Sequence, residues 1–396
     1  MRGVRFIALA LSTAALVVGA CGIYDTSLLL PAPADSGSPV VEAGGPSDAG
    51  ADADTCMHVG PPAPPMKDDG TEDLDIVFAG SDVRMSRSGS ATIPAPPTGV
   101  DLDGLCTCPQ REACTPLTNM KHCDTDGGAD DGIGTMFDTF SALAPDLFSD
   151  KALAAPGKAG NRNVLFRVKS WNGSKNDTQV TFIAYGSNGL AVHQEVDGAA
   201  ITPKNDGTDV WLIDPASLLG GGGLEAGVSC EGMDSECVPL FADTAAYVSN
   251  GVLVAHMDFP LAFGAGDSTL VIKLHRSLIT ATLTREADGG VHVDDGQVVG
   301  RWATSALLTA MSALPDPLVL GAHLCGDAGT YVNLKQVICA QADLESDPAN
   351  DGTTKPCDAL SAAIGFAAVQ ARLGYVLAVP PDTSACGPDY MDDCNR

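Results

Sequence analysis

Eight stretches of the chain concentrate Val, Ile, Thr and aromatic residues between Gly, Asn, Asp and Pro: 74–79, 164–171, 179–185, 209–213, 251–259, 268–274, 278–285 and 297–302. That composition suits a pleated, half-buried surface, so each predicts a strand. Within 277–284, Ser-Leu-Ile-Thr-Ala-Thr-Leu-Thr, apolar and polar positions roughly alternate, which places one face in solvent. Short strands at this spacing, with few helical patterns between them, favour an antiparallel sheet over a parallel α/β arrangement. The expected fold is mainly β: an antiparallel β-sandwich, jelly-roll or lectin-like, with a few peripheral helices.

Helical spacing is confined to the margins. Ile133, Met136, Phe137, Phe140, Leu143 and Ala144 follow the polar pair Asp130 and Asp131, and Pro145 limits the run. The stretches 303–314, 331–342 and 358–373 also predict helices, with Leu334, Val337, Ile338 and Ala342, and then Leu360, Ile364 and Ala367, as buried stripes. Such stripes pack into cores more often than they form partner grooves.

Between residues 22 and 66 there is no Lys or Arg, and Pro, Ala, Gly, Ser and Asp dominate. A segment of this kind cannot bury enough apolar surface to offset the entropy of ordering it. It predicts a flexible acidic leash. If Cys56 is bridged to the domain, the free part reaches roughly 30–35 Å by coil statistics.

Ahead of the leash, Arg2 and Arg5 precede an apolar run from Phe6 to Val18 broken only by Ser12 and Thr13, and then Val18-Gly19-Ala20-Cys21. Basic start, short apolar stretch and small residues before a cut have the form of a secretory signal. The run is short of the ~20 residues that span a bilayer core. The tetrad ending at Cys21 resembles the lipobox of bacterial lipoproteins. The resemblance implies a diacylglycerol (palmitate-bearing) thioether at Cys21, cleavage before it, and membrane attachment through two or three acyl chains. Gly22, where an Asp would favour inner-membrane retention in that family, implies sorting to the outer membrane. The implied divisions are a signal peptide over 1–20, a lipidated linker over 21–66, a β-sandwich body with a cysteine-rich insertion over 67–302, and a helical, cysteine-stapled part packed on it over 303–396.

Charge and cysteine usage agree with export. The formal net charge of −28 becomes −30 once Arg2 and Arg5 leave with the signal. That sign opposes nucleic acid and anionic headgroups as partners. Of thirteen cysteines, twelve remain if Cys21 carries lipid, an even number suited to disulfides in an oxidising compartment. Cys230–Cys237, which would close an acidic loop, is the easiest local bridge to propose, and Cys386–Cys394 is a similar one at the C-terminus. A metal site at Cys106, Cys108, Cys114 and Cys123, with His122 beside them, lacks the paired C-x-x-C spacing of structural zinc.

Catalytic signatures are sparse. No G-x-S-x-G elbow, H-E-x-x-H helix or P-loop is present, and the run 220–223 lacks the Lys-Ser/Thr that would grip phosphate. Glu231, Asp234 and Glu236 crowd carboxylates together in a Gly-bearing loop, where solvation is the simpler role. His256 with Asp258, and His292 with Asp294, would share a strand face without an assignable nucleophile.

One loop carries ligand chemistry: Asp124-Thr-Asp126-Gly127-Gly-Ala-Asp130-Asp131-Gly132. Calcium takes six to eight oxygens, and Asp-x-Asp-Gly turns supply them. The loop resembles the start of EF-hand-like calcium loops but has Thr135 where that family has its twelfth-position Glu. The expected ligands are Asp124, Asp126, Asp130 and Asp131. Weaker echoes stand at Asp101-x-Asp103-Gly and at Asn205-Asp206-Gly-Thr-Asp209. The competing role is a polar turn in which Asp130 or Asp131 caps the following helix.

Leader, Ala/Gly/Asp leash and cysteine-rich strand body together, with Trp171-Asn-Gly173, Asn176-Asp177 and the Asp126-Gly127 loop, resemble surface lipoproteins of myxobacterial type. The resemblance implies no particular activity. The favoured expectation is a non-catalytic, lipid-anchored envelope module that binds glycan or protein with calcium, displaying exposed aromatics on a shallow surface. The alternative is an envelope hydrolase acting on polysaccharide or another extracellular substrate at His256 or His292.

Overall fold

Strand-forming segments in the structure, a computed structural model, form one sheet that closes on itself. Residues 58–395 are described apart from short stretches, the longest being 88–98, 192–200 and 378–385. Cys21, the leader and most of the acidic linker lie outside the described residues. The strands are β1 (Leu74–Arg84), β2 (Asn163–Trp171), β3 (Asp177–Leu190), β4 (Val210–Ile213), β5 (Phe241–Ser249), β6 (Val252–Ala265), β7 (Ser268–Arg285), β8 (Val291–Ala303) and β9 (Ala359–Val376). Antiparallel pairing runs β1–β2–β3–β5–β6–β7–β8–β9 and back to β1. β4 joins the ends of two of them, antiparallel to β3 and parallel to β9.

The expected sandwich is therefore corrected to a closed eight-stranded antiparallel barrel, in which each of the eight strands has a neighbour on both sides over part of its length. The strand that closes it, β9, lies in the stretch expected to be a helix. Its inner face carries Leu360, Ala362, Ile364, Phe366 and Ala368 within the main core, at strand period. Every residue from Ala359 to Phe366 is buried, so the outer face shows no polar alternation that could have marked a strand. β5 was also not anticipated, and the runs at 268–274 and 278–285 are one strand, continued through a bulge at which Arg276 has φ 47°.

Alternation places Phe78, Phe166, Phe182, Phe259 and Phe366 inside the barrel. Phe166 sits 4.8 Å from Phe366 and 5.6 Å from Phe182, ring centre to ring centre. Gly296 on β8 pairs with Phe366, and a Cβ there would lie 2.5 Å from the ring, so the glycine makes room for the aromatic. Trp171, Trp211 and Trp302 are all buried. Five helices accompany the barrel among the described residues: α1 (Gly132–Leu143), α2 (Pro145–Phe148), α3 (Asp150–Lys158), α4 (Thr304–Met311) and α5 (Gly329–Ala340). Ile133, Met136, Phe137 and Phe140 of α1, Leu307, Leu308 and Met311 of α4, and Leu334 and Ile338 of α5 extend the barrel core.

Two smaller apolar layers cover parts of the outer wall. Ala79, Leu165, Ile183 and Tyr185 pack with Trp211 and Ile213 of β4. Tyr247, Val254, Leu278, Val299 and Ala363 pack with Val100, and Leu102 lies against them.

Disulfides join Cys108–Cys123, Cys114–Cys357, Cys230–Cys237, Cys325–Cys386 and Cys339–Cys394, and Cys106 is also disulfide-bonded. Cys386 and Cys394 are thus not bonded to each other: Cys386 ties the C-terminal tail to Cys325, and Cys394 ties it to Cys339. The bonded cysteines replace the cysteine metal site considered above, and His122 instead places Nε2 2.6 Å from the Ala340 carbonyl. Replacing Cys230 and Cys237 together by Ala should cost about 2 kcal/mol, because the loop they close is short. Calorimetry of the double variant measures it, and a loss below a few tenths would mean the bridge adds nothing.

Candidate metal centre

Two loops rich in Asp meet on the outer wall of the barrel. The first is anchored by Val100, buried against Tyr247, Val254 and Val299. The second precedes α1 and joins the first through an antiparallel bridge, Val100↔Asp130, with Asp130 N–H donating to the Val100 carbonyl at 3.0 Å. Gly99 lets them approach: its φ is 71°, and a Cβ there would stand 2.4 Å from the Asp130 carbonyl oxygen. A third strand of chain threads in at Val59, which donates to the Gly127 carbonyl at 2.8 Å and accepts from Asp101 N–H at 2.9 Å.

The result places one carboxylate oxygen each of Asp101, Asp103 and Asp130 within 4.8 Å of one another. Asp124 belongs to the same group: its charge raises Asp103 and Asp130, and the charge of Asp101 raises Asp124 in turn. Backbone donors hold the four in place. Gly104 N–H donates to Asp101 Oδ1 at 2.7 Å, Leu105 N–H to Asp103 Oδ1 at 2.7 Å, Thr107 N–H to Asp124 Oδ2 at 2.6 Å, and Leu102 N–H to Asp130 Oδ2 at 2.7 Å. His58 Nδ1 contacts Asp101, and the Thr107 hydroxyl donates to Asp124.

Burial and crowding act together on the protons. Burial, reinforced by repulsion from Asp103 and Asp343, pushes the Asp130 carboxyl up to about 10. Burial first, and then Asp124 and Asp101, pushes Asp103 up to about 7. Asp124 and Asp343 are raised by burial as well. Asp343 takes its hydrogen bonds from Ser361, at Oδ1 from N–H (2.8 Å) and at Oδ2 from the hydroxyl (2.5 Å). One acceptor is left over: Asp103 Oδ2 is buried and has no hydrogen-bond partner.

Of the four residues expected to bind calcium, Asp124 and Asp130 are brought together and Asp131 is not. Asp131 Oδ1 accepts from Gly134 N–H at 3.0 Å, capping α1, and Oδ2 accepts from Arg87 Nε at 2.6 Å. Its carboxyl is pushed up to about 6 by burial, against the pull of Arg87. Asp126 lies outside the described residues. The partners that complete the cluster, Asp101 and Asp103, come from one of the two weaker echoes. The other is a self-closed turn, in which Asp209 accepts from the N–H groups of Lys204 and Asn205.

The catalytic candidates stand elsewhere. His256 and Asp258 are exposed on the outer face of β6, and Asp258 Oδ1 accepts from Arg276 N–H at 2.5 Å. His292 has Nε2 2.8 Å from Asp294 Oδ2 and Nδ1 3.5 Å from Glu286 Oε1. Glu231, Asp234 and Glu236 lie outside the described residues. No described helix is long and apolar enough to cross a membrane.

Comparison with protein-family models, with curated proteins and with solved structures gives no match for this chain.

Proposed function

We propose that this chain is an exported, lipid-anchored envelope protein whose barrel serves as a non-catalytic binding module, braced by a calcium ion held among Asp101, Asp103, Asp124 and Asp130. The observation that carries the calcium reading is the buried carboxylate group with an orphaned Asp103 Oδ2. Buried carboxylates at this spacing must either keep protons or share a cation, and an all-oxygen donor set suits a hard divalent ion. The ion would neutralise the mutual repulsion and fill the vacant lone pairs on Asp103.

Such a brace has a structural use. Val59 is clamped between the two acidic loops, and the Tyr247 hydroxyl donates to the Pro62 carbonyl at 2.7 Å. The cation would thus fasten the point at which the linker enters the barrel.

Buried tryptophans bear on the ligand. A flat aromatic platform for sugar rings is not available from Trp171, Trp211 or Trp302, which favours a protein partner over a glycan. Binding assays against envelope protein extracts and cell-wall fragments, in calcium and in chelator, test this. Capture of a defined protein only in calcium supports the reading, and turnover of a fragment overturns it. For the anchor, Cys21→Ser should abolish incorporation of labelled palmitate and release the protein from the membrane fraction. Labelling that persists in the variant would place the lipid elsewhere.

A further inference from the structure

The barrel wall has a seam. β1 pairs with β2 only as far as Ala79↔Leu165, and beyond a register shift at Gly80–Asp82 it continues on β9 alone, to Arg84↔Gly365. The start of β2, Asn163 and Val164, pairs only with β3. Side chains close the gap instead of a ladder. Asn163 Nδ2 donates to the Gly80 carbonyl at 2.8 Å, and Lys158 Nζ lies 3.2 Å from Asp82 Oδ1.

Behind the seam lies a cavity of about 70 Å³. Leu153, Ala154 and Pro156 of α3 roof it, and Phe166, Ile364 and Phe366 of the barrel interior form its floor. The roof is a weak helix of nine residues with a proline inside it, which removes one backbone hydrogen bond. Arg162 and Asp82 stand at the rim.

We infer that this seam is a ligand portal, and that the cavity takes the tail of a short, unbranched aliphatic carboxylate whose head stays at the rim. A water-sized unit needs about 10–15 Å³ of such space, so the cavity holds about five to seven tail carbons. The apolar lining excludes a polar tail. The rim selects the head. In a chain with 50 acidic and 22 basic residues, Arg162 lines the cavity and Lys158 reaches its edge through Asp82, and a planar guanidinium matches a carboxylate, which would compete with the partner Arg162 already has. Asp82 already engages Lys158, so a bound carboxylate would compete with it for that ammonium.

The site is independent of the acidic cluster, and its test is run on the full chain in calcium and in chelator alike. Sodium butanoate, hexanoate, octanoate and dodecanoate are titrated by calorimetry. Affinity should rise about fourfold per methylene, the equivalent of ~0.8 kcal/mol for each buried CH₂, up to about octanoate and then level off. Ala154→Leu, which fills the cavity, should weaken octanoate at least tenfold. Arg162→Gln should weaken octanoate about fivefold and leave octanol unchanged. Affinity that keeps rising through dodecanoate would indicate surface adsorption and overturn the inference. So would wild-type binding that octanol matches, or no octanoate binding at millimolar concentration. The chain-length series needs no variant, so it decides the matter even if Ala154→Leu does not fold.

Discussion

In chelator, the protein should melt at progressively lower temperature as pH is raised from 5 to 8, and calcium should restore the loss at pH 8 while changing little at pH 5. The carboxyls of Asp103 and Asp130 are pushed up to about 7 and about 10, from ordinary values near 4. In the unfolded chain they ionise first, so between those limits the native state binds more protons. Stability is then full below pH ~4, where both states are protonated, and is lost as pH rises towards the folded values. Charges facing the cluster modify the size of the effect but not its sign. Asp343 adds to it, His122 pulls Asp343 the other way, and Asp131, pushed up to about 6 despite Arg87, acts in the same direction. Calcium at a hundred times its dissociation constant adds ~2.7 kcal/mol, about 5 °C for a domain of this size. Asp103→Asn should remove most of the calcium response while raising the melting temperature in chelator, since it deletes a charge that repels its neighbours. A chelated protein whose melting temperature ignores both calcium and pH across this range would remove the cation from the account.

Which parts of this were legible in the sequence follows from how each element is buried. Strands with one solvated or partly polar face, such as 164–171 and 297–302, show their composition and lie within β2 and β8. β9 does not, because its alanines satisfy helix propensity while tight packing on both faces calls for small residues in a strand. Missing that strand turned a closed barrel into an open sandwich. The acidic site was half visible for a different reason. Asp124 and Asp130 belong to one loop with a ligand-like pattern. Asp101 and Asp103 are a second short pattern 21 or more positions away, joined to it by long-range contacts such as the Val100↔Asp130 bridge and the Cys108–Cys123 disulfide. Nothing local distinguishes that echo from the turn at 204–209, which closes on itself. Long-range disulfide partners were hidden in the same way, whereas the short Cys230–Cys237 loop was legible: Cys114 and Cys357 are separated by 243 positions and are brought together by the closure of the barrel at β9. The seam between β1 and β2 left no signal, since a shift of register changes pairing without changing composition.

Arg301→Ala should be the most damaging single substitution on the outer wall, costing about 3–5 kcal/mol. Arg301 is buried on β8, where an apolar residue would be expected, and both terminal nitrogens of its guanidinium are engaged. Nη1 donates to Asp351 Oδ1 at 2.7 Å and to the Glu345 carbonyl at 2.6 Å, and Nη2 donates to Asp351 Oδ2 at 2.5 Å and to the Leu102 carbonyl at 2.8 Å. One side chain thus ties the wall both to the loop before β9 and to the acidic loop, at the residue between Asp101 and Asp103. Truncation leaves the Asp351 carboxylate and two carbonyls without their partner, and the melting temperature should fall by roughly 6–10 °C. Because Leu102 is released, calcium affinity should fall as well, which a purely structural ion pair elsewhere would not cause. Arg301→Lys keeps the charge but not the planar fork, so it should fall between the two. Arg301→Met combined with Asp351→Leu should recover part of the stability by removing the stranded charge, yet not the calcium affinity. That split between stability and affinity is the decisive reading. If the double variant regains both, the fork serves only to hold the wall together, and the acidic loop keeps its shape through Val100 and its bonds to Val59, Asp124 and Asp130.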